Sequence, residues 1–216
     1  MQTRLPQAAG PRAELDRELE TIRADLLRLG DRIDTAIDRA MIALLQHDRP
    51  LAREVLATDQ IINTRRYRLE DDCLTAIARH QPVARDLRRL IATMLVAGEL
   101  ERMGDHAKGI CNIVLRLPAE TRLPLANFER MAQAVRQMLR CSLYAFAYDD
   151  LQQADRAAVM DDKIDQYYQQ NIRTLLTYML EDRDVVEDAT YLLWVSHNLE
   201  RIGDRCVNVS ERTLRR

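Results

Sequence analysis

The sequence Leu-Glu-Arg-Met-Gly-Asp at residues 100–105 recurs as Leu-Glu-Arg-Ile-Gly-Asp at residues 199–204, which lie 99 positions further along the chain. Five of the six residue types are identical. Upstream, residues 59–63 align with residues 161–165 at a spacing of 102. The sequence therefore predicts a tandem duplication, with three residues lost from the second copy before its last helix.

The apolar residues between these landmarks predict long helices. They recur at intervals of three and four from Leu15 to Leu44 and again from Leu125 to Phe146, a pattern typical of helices that close antiparallel bundles. Turn signals divide the chain into six segments of roughly 25 to 35 residues; they are Pro50, Pro82, Pro118, Pro124 and the acidic stretches at 149–150 and 181–184. Strand signals are weak, since no Asn-Gly or Asp-Gly turn separates alternating apolar residues.

The predicted fold is all-α, with six long helices in two tandem, pseudo-symmetric three-helix bundles. We expect a flexible tail at residues 1–13, a first repeat at 14–118 and a second repeat at 119–216. With 47% hydrophobic residues, the chain can bury one sizeable core or two smaller ones side by side.

Composition excludes several classes of protein. The 32 basic and 34 acidic residues are interleaved, whereas a nucleic-acid-binding protein usually concentrates Lys and Arg on one face. No apolar run reaches the roughly 18 to 20 residues that span a bilayer, and no signal-peptide core is present, so we expect a cytoplasmic protein without direct membrane insertion. The four scattered cysteines lack the spacing of a zinc ribbon or a disulfide framework.

Each copy of the repeated motif carries two acids on the outer face of its helix. Glu101 and Asp105, like Glu200 and Asp204, are four residues apart and lie off the apolar seam. Like charges at this spacing and a glycine in mid-helix both weaken a helix, so a cost that occurs twice suggests a compensating interaction. The glycine leaves room for close approach of another helix or of a ligand.

The preceding helix of each copy carries a second polar pair at the same spacing, Asp59 with Asn63 and Asp161 with Asp165. If the two helices pack antiparallel at the usual 8–10 Å, each repeat gathers up to four oxygen-bearing side chains. Clusters of oxygen ligands select hard or borderline cations such as Mg, Mn or Fe, and bridging carboxylates accommodate more than one ion.

Other interpretations of these acids stay open. They are also explained as a solvated helix surface, or as partners of Arg102 and Arg201 in surface ion pairs of little energetic weight. His197 lies three residues before Glu200 and is suited to complete the second site, although Gly98 takes its place in the first copy. No nucleophile with a recognisable base and no phosphate-binding loop is present, so we expect no enzymatic activity.

In combination and order, these segments resemble the PhoU family of bacterial phosphate regulators, from about Glu14 to Arg212. The resemblance rests on both LERxGD motifs, on Asp59 with Asn63, and on residues 81–88, 161–165 and 177–182. It implies outer-face sites for metal ions (Fe, Zn, Mn or Mg). The residues that match are Asp59, Glu101 and Asp105 in the first repeat, and Asp161, Asp165, Glu200 and Asp204 in the second. Asn63 departs from the acidic pattern, so we expect the first site to hold cations more weakly.

The resemblance also implies a function. Family members act as adaptors between the phosphate ABC transporter, through its ATPase subunit, and the phosphate sensor histidine kinase, at the periphery of inner-membrane complexes. When phosphate is plentiful, they keep the kinase from switching on the phosphate-starvation response. We therefore expect a metal-associated, homodimeric negative regulator. The alternatives are a carboxylate-bridged metalloenzyme of ferritin-like type and a structural helical module whose acidic faces bind basic partners.

Overall fold

The computed structural model describes residues 10–118 and 121–214, which form six α-helices and one short 3-10 turn at Arg183–Val185. The helices are α1 (Pro11–Gln46), α2 (Arg49–His80), α3 (Ala84–Val114), α4 (Ala126–Tyr148), α5 (Leu151–Glu181) and α6 (Val186–Leu214). The helices α1 to α3 pack together as one bundle and α4 to α6 as a second, so the predicted fold is confirmed.

The first helix begins earlier than predicted. Residues 1–9 of the predicted tail lie outside the described residues, but residues 11–13 belong to α1. Pro11 opens the helix because the first helical position needs no intrahelical N–H donor and the proline ring already holds a helical φ.

Both repeats reverse the chain between their first and second helices with the same device. His47 caps the C-terminus of α1 and Asp149 caps that of α4, each in the left-handed conformation, with φ of 53° and 56°. The next residue caps the following helix. The Asp48 carboxylate accepts a hydrogen bond from the backbone N–H of Leu51 at 2.9 Å, and Asp150 accepts two at the start of α5. These matching turns fix a spacing of 102 residues between equivalent positions of the two hairpins.

The repeats differ in the next connection. Residues 81–83 separate α2 from α3, whereas α5 is followed by Asp182 and then directly by the 3-10 turn. The carboxylate of Asp182 accepts a hydrogen bond from the backbone N–H of Asp184 at 2.9 Å, which starts that turn. The three extra residues of the first repeat lie in this connection, and the equivalent positions of α3 and α6 are therefore 99 residues apart.

One continuous apolar core runs through both bundles. The predicted seam of α1 is buried from Leu15 to Leu44, and Phe128 and Phe146 of α4 are almost fully buried. The buried polar side chains within the described ranges carry no carboxylate; they are Thr93, Ser142, Asn171, Ser196, Ser210 and Thr213. In residues 10–118 and 121–214, no helix is both long enough and apolar enough to cross a membrane.

The bundles meet through four helices. α1 packs against α4 and α3 against α6, while α2 contacts only α1 and α3 within the described part of the chain. Arg136 of α4 reaches Asp34 of α1, with Nε to Oδ1 and Nη2 to Oδ2 both at 2.9 Å. α2 and α5 are thus the outer helices, and each forms a long seam with the third helix of its own repeat.

Candidate metal centres

Glycine sets the distance between helices at each of these seams. A Cβ atom added at Gly104 of α3 would lie 3.4 Å from Cδ1 of Ile62 on α2 and 3.2 Å from Cδ1 of Ile33. At Gly203 of α6 it would lie 3.3 Å from Cδ1 of Ile164 on α5. Ile62 and Ile164 are equivalent positions. The repeated glycine is therefore explained by close approach of the neighbouring helix, one of the two roles that the sequence predicted.

The acids beside these glycines lie on the outer side of the seams. Asp105 and Asp165 are exposed, and the other predicted ligands are partly buried, but none lies in the core. The helical period places them there, because the positions flanking the apolar seam face away from the bundle axis. The structure places seven acids close enough for their charges to act on one another within each repeat: Asp59, Glu101 and Asp105 in the first, and Asp161, Asp165, Glu200 and Asp204 in the second. Asn63 lies one helical turn from Asp59 on α2. We call Asp59, Asn63, Glu101 and Asp105 the first cluster, and Asp161, Asp165, Glu200 and Asp204 the second cluster.

The acids of the second cluster affect one another across the α5–α6 seam. Burial raises the pKa of Asp161, and the charges of Asp165 and Asp204 raise it further. Burial is also the main cause of the raised pKa of Glu200. Asp204 adds to that shift, the neighbouring Arg201 opposes it, and the acids of α5 contribute as well. Both pKa values rise because carboxylates on two helices share one partly dehydrated region.

One oxygen of the second cluster has no hydrogen-bond partner. Oε2 of Glu200 is buried, and the nearest cationic candidate, Nδ1 of His197, lies 3.6 Å away, beyond hydrogen-bond distance. Arg201 pairs at 2.5 Å with Asp204 of its own helix. Asp161 and Asp165 form no ion pair with any described residue. The cluster therefore combines mutual repulsion with an oxygen that lacks a donor.

The first cluster contains its own cation. Nζ of Lys108 on α3 donates to Oδ2 of Asp59 on α2 at 2.6 Å. This hydrogen bond and the charges of Asp59, Asp105 and Glu101 raise the pKa of Lys108. Burial followed by the charge of Asp105 raises the pKa of Glu101, while Arg66 counters part of the effect. A salt bridge thus crosses the α2–α3 seam, whereas the described side chains of the α5–α6 seam form none across it.

Sequence reasoning missed Lys108, although a signal was present. Lys108 lies three residues after Asp105 and seven after Glu101, and both spacings place side chains on one helix face. Of the two arginines considered as neutralising partners, Arg201 contacts an acid of its cluster, whereas Arg102 pairs instead with Glu99 at 3.7 Å.

Neither cluster is a finished metal cage. Among residues 10–118 and 121–214, no three His, Cys, Asp or Glu side chains are already placed to hold one ion. The second cluster fits a cation in its chemistry, since it offers four carboxylates and the orphaned Oε2 of Glu200; sharing an ion requires rotation of side chains, which the exposed Asp165 permits. The first cluster does not fit, because an ammonium group already pairs with Asp59 and Asn63 replaces a carboxylate.

The other ligand-type side chains serve the fold. Cys73, Cys111 and Cys206 are buried as free thiols, and burial raises the pKa of Cys73 and of Cys111 to about 12. His106, next to Asp105, turns away from the acids, and its Nδ1 lies 3.0 Å from Oδ1 of Asn198 on α6.

The family profile of the PhoU domain matches the chain twice, over residues 26–114 and 128–213, which is one match for each three-helix repeat. The chain belongs to the PhoU family. The phosphate-specific transport system accessory protein PhoU of Edwardsiella tarda is 36% identical over 92% of this chain and 82% of its own length. The protein of the same name from Escherichia coli (strain K12) is 34% identical over 92% of this chain and 83% of its own length.

Solved PhoU structures share the fold. The crystal structure of PhoU from Pseudomonas aeruginosa superimposes with a TM-score of 0.87 at 31% identity, over 92% of this chain and 96% of that one. The crystal structure of the phosphate transport system regulatory protein PhoU from Streptococcus pneumoniae superimposes with a TM-score of 0.86 at 31% identity, over 93% of this chain and 95% of that one. The resemblance seen in the sequence is thereby confirmed over nearly the whole protein.

Proposed function

We propose that this PhoU-family chain is a non-enzymatic regulator of phosphate uptake that also represses the phosphate-starvation response when phosphate is plentiful. It works as a homodimeric adaptor between the ATPase subunit of the phosphate ABC transporter and the phosphate sensor histidine kinase. It is cytoplasmic and lies at the periphery of these inner-membrane complexes. The names of its relatives, which describe an accessory protein of phosphate-specific transport and a regulatory protein, support this proposal.

The adaptor carries metal at the second cluster. The buried Oε2 of Glu200, which lacks a hydrogen-bond partner among the described residues, is the observation that carries this part of the proposal. Glu200 and Asp204 hold the ion from α6, and Asp161 and Asp165 hold it from α5. Arg201 pairs with Asp204, and the ion supplies positive charge to Glu200, Asp161 and Asp165; oxygen ligands of this kind suit Fe, Zn, Mn or Mg.

The metal content of the native protein tests the site. Protein purified from phosphate-replete cells without chelators is expected to contain one of these metals. The double substitution Glu200→Gln with Asp204→Asn is expected to lower that content while circular dichroism keeps its helical signal. Asp31→Asn with Asp71→Asn removes the same charge from exposed positions of the first repeat and serves as the matched control. Metal-free native protein, or equal metal content in both double variants, rejects the site.

Capture from phosphate-replete cells tests the adaptor role. The transporter ATPase subunit and the sensor kinase are expected to copurify with the chain, and capture of at least one is expected to fall when the second cluster is neutralised. If the acidic faces bind basic partners directly, capture is instead indifferent to chelators and strongly weakened by salt. Recovery of neither partner rejects the adaptor role.

The ferritin-like alternative requires carboxylates that face the interior of the bundle. The buried polar side chains within the described residues are hydroxyls and one amide. The described core therefore lends no support to an iron oxidase, for which oxygen consumption on addition of ferrous iron is the direct assay.

A further inference from the structure

We infer that Lys108 is the built-in cation of the first repeat: its ammonium group takes the place that a metal ion would occupy, and metal binds only in the second repeat. This departs from the family expectation that both repeats hold metal. Only one part of this inference, the binding of metal by the second cluster, rests on the proposed function.

The geometry of Lys108 matches what a bridging ion would do. Its Nζ, on α3, lies 2.6 Å from Oδ2 of Asp59, on α2, so the contact crosses the seam between the two helices. The Asp59 side chain is only 18% exposed, so this charge-assisted hydrogen bond is formed in a partly dehydrated position. Lys108 also shares the α3 face of Glu101 and Asp105, and its charge acts on all three acids.

The second repeat shows what the lysine replaces. Val207 stands at the position equivalent to Lys108, and Asp165 at the position equivalent to Asn63. The first cluster therefore has three carboxylates and one ammonium group, and the second has four carboxylates and none. Arg102 and Arg201 occupy equivalent positions, although only Arg201 pairs with an acid of its own cluster, Asp204. Two residue exchanges thus convert one type of site into the other.

A metal ion cannot enter the first cluster without a penalty. A divalent ion within a few ångströms of the ammonium group is repelled by it, and solvent screens part of this repulsion because the Lys108 side chain is 40% exposed. Displacing Lys108 first breaks its bond to Asp59 and leaves a charged group without its partner. The first cluster therefore acquires its bridging cation when the chain folds rather than from a ligand.

Mn²⁺ titration of the full-length protein tests the inference, with free Mn²⁺ followed by electron paramagnetic resonance. All chains carry Glu200→Gln and Asp204→Asn, so that the second cluster is silent. In this background, the chain with an unaltered first cluster is expected to bind no more Mn²⁺ than the same chain with Glu101→Gln added. Adding Lys108→Val and Asn63→Asp, which copy the second repeat, is expected to tighten Mn²⁺ binding by about tenfold or more. A further Glu101→Gln is expected to abolish the gain.

Two results overturn the inference. One is Mn²⁺ binding in the background chain that Glu101→Gln removes, since the first cluster then binds metal with Lys108 in place. The other is a well-folded Lys108→Val/Asn63→Asp chain that gains no affinity. Should that chain fail to fold, Lys108→Gln alone takes its place under the same criteria, since glutamine removes the charge, keeps a hydrogen-bond donor and is one methylene shorter than lysine. Whether the second cluster binds metal is measured separately, on the wild-type protein.

Discussion

Asp34 of α1 and Arg136 of α4 occupy equivalent positions in the two repeats, 102 residues apart, and form a bidentate ion pair with each other. Residues close to a two-fold axis meet their own counterparts, so identical charges at such a place repel. Asp38 and Arg140 are also equivalent; Asp38 pairs with Arg136, and Arg140 lies 3.2 Å from Asp34. Because the repeats are joined in one chain, their equivalent positions carry different residues, acidic in the first copy and basic in the second.

Arg136→Met is expected to lower the free energy of unfolding by about 1–3 kcal/mol, because it removes the bidentate partner of the partly buried Asp34 and leaves only the longer contact with Arg140. Arg140→Met is the matched control, since the Arg140 side chain is 57% exposed and its pair is of the surface type, worth at most about 1 kcal/mol. Urea unfolding followed by circular dichroism measures both. Equal losses for the two variants contradict the importance of the bidentate pair.

The same pair predicts a pH dependence. Burial alone would raise the pKa of Asp34, but the hydrogen bond and the charge of Arg136 outweigh it, and the pKa lies below its ordinary value. The stability that the pair contributes is therefore present above the ordinary pKa of aspartate and is lost as the pH falls through the lowered pKa of the folded state. Asp34→Asn is expected to be less stable than the wild type near neutral pH, with the difference shrinking in acid. A difference that stays constant over a pH series of urea unfolding curves contradicts this.

Two glycines in helix interiors predict opposite responses to alanine. A Cβ atom at Gly98 meets nothing within 4 Å, so Gly98→Ala is expected to raise the free energy of unfolding by about 0.5–1 kcal/mol through helix propensity and a less flexible unfolded chain. A Cβ atom at Gly30 would lie 2.0 Å from Cδ2 of the buried Leu143, at the contact of α1 with α4. There overpacking of about 1–3 kcal/mol cancels or exceeds the gain. Thermal unfolding compares the two, and equal stabilisation counts against the tight contact.

Neutralising the second cluster is expected to have opposite effects with and without metal. In chelator, Glu200→Gln with Asp204→Asn removes repulsion between acids and raises the free energy of unfolding by about 0.5 kcal/mol or more. With Mn²⁺, the wild type is expected to gain thermal stability as the ion concentration rises, and the double variant is not. Calorimetry in the two conditions measures both effects. A double variant that is less stable than the wild type in chelator contradicts the repulsion.

The fold was readable from the sequence because its signals are local and occur twice. The spacing of apolar residues from Leu15 to Leu44 alone places the α1 seam, and the repeated Leu-Glu-Arg motif aligns the halves. The outward direction of Glu101 and Glu200 follows from the same helical period. These predictions needed no knowledge of how one helix sits against the next.

Contacts between helices were harder to predict. The pairing of Lys108 with Asp59 depends on the register of α3 against α2, which Gly104 and Ile62 set by close packing. The pair between Asp34 and Arg136 depends on where the pseudo-two-fold axis passes, and nothing within a single helix marks that point. The difference between the two acidic clusters was only half visible: Asn63 was noted, but the ammonium group that pairs with Asp59 was not.

The position of α2 and α5 on the outside has a consequence for how the protein can respond. Within the described residues, α5 touches only α4, α6 and the 3-10 turn of its own repeat, while α6 also forms part of the joint between the halves. Loosening or tightening α5 on α6 therefore alters the stiffness of one half and leaves the central four-helix joint intact. One chain can in this way combine a first repeat whose outer helix is held by Lys108 with a second repeat whose outer helix is held more or less tightly.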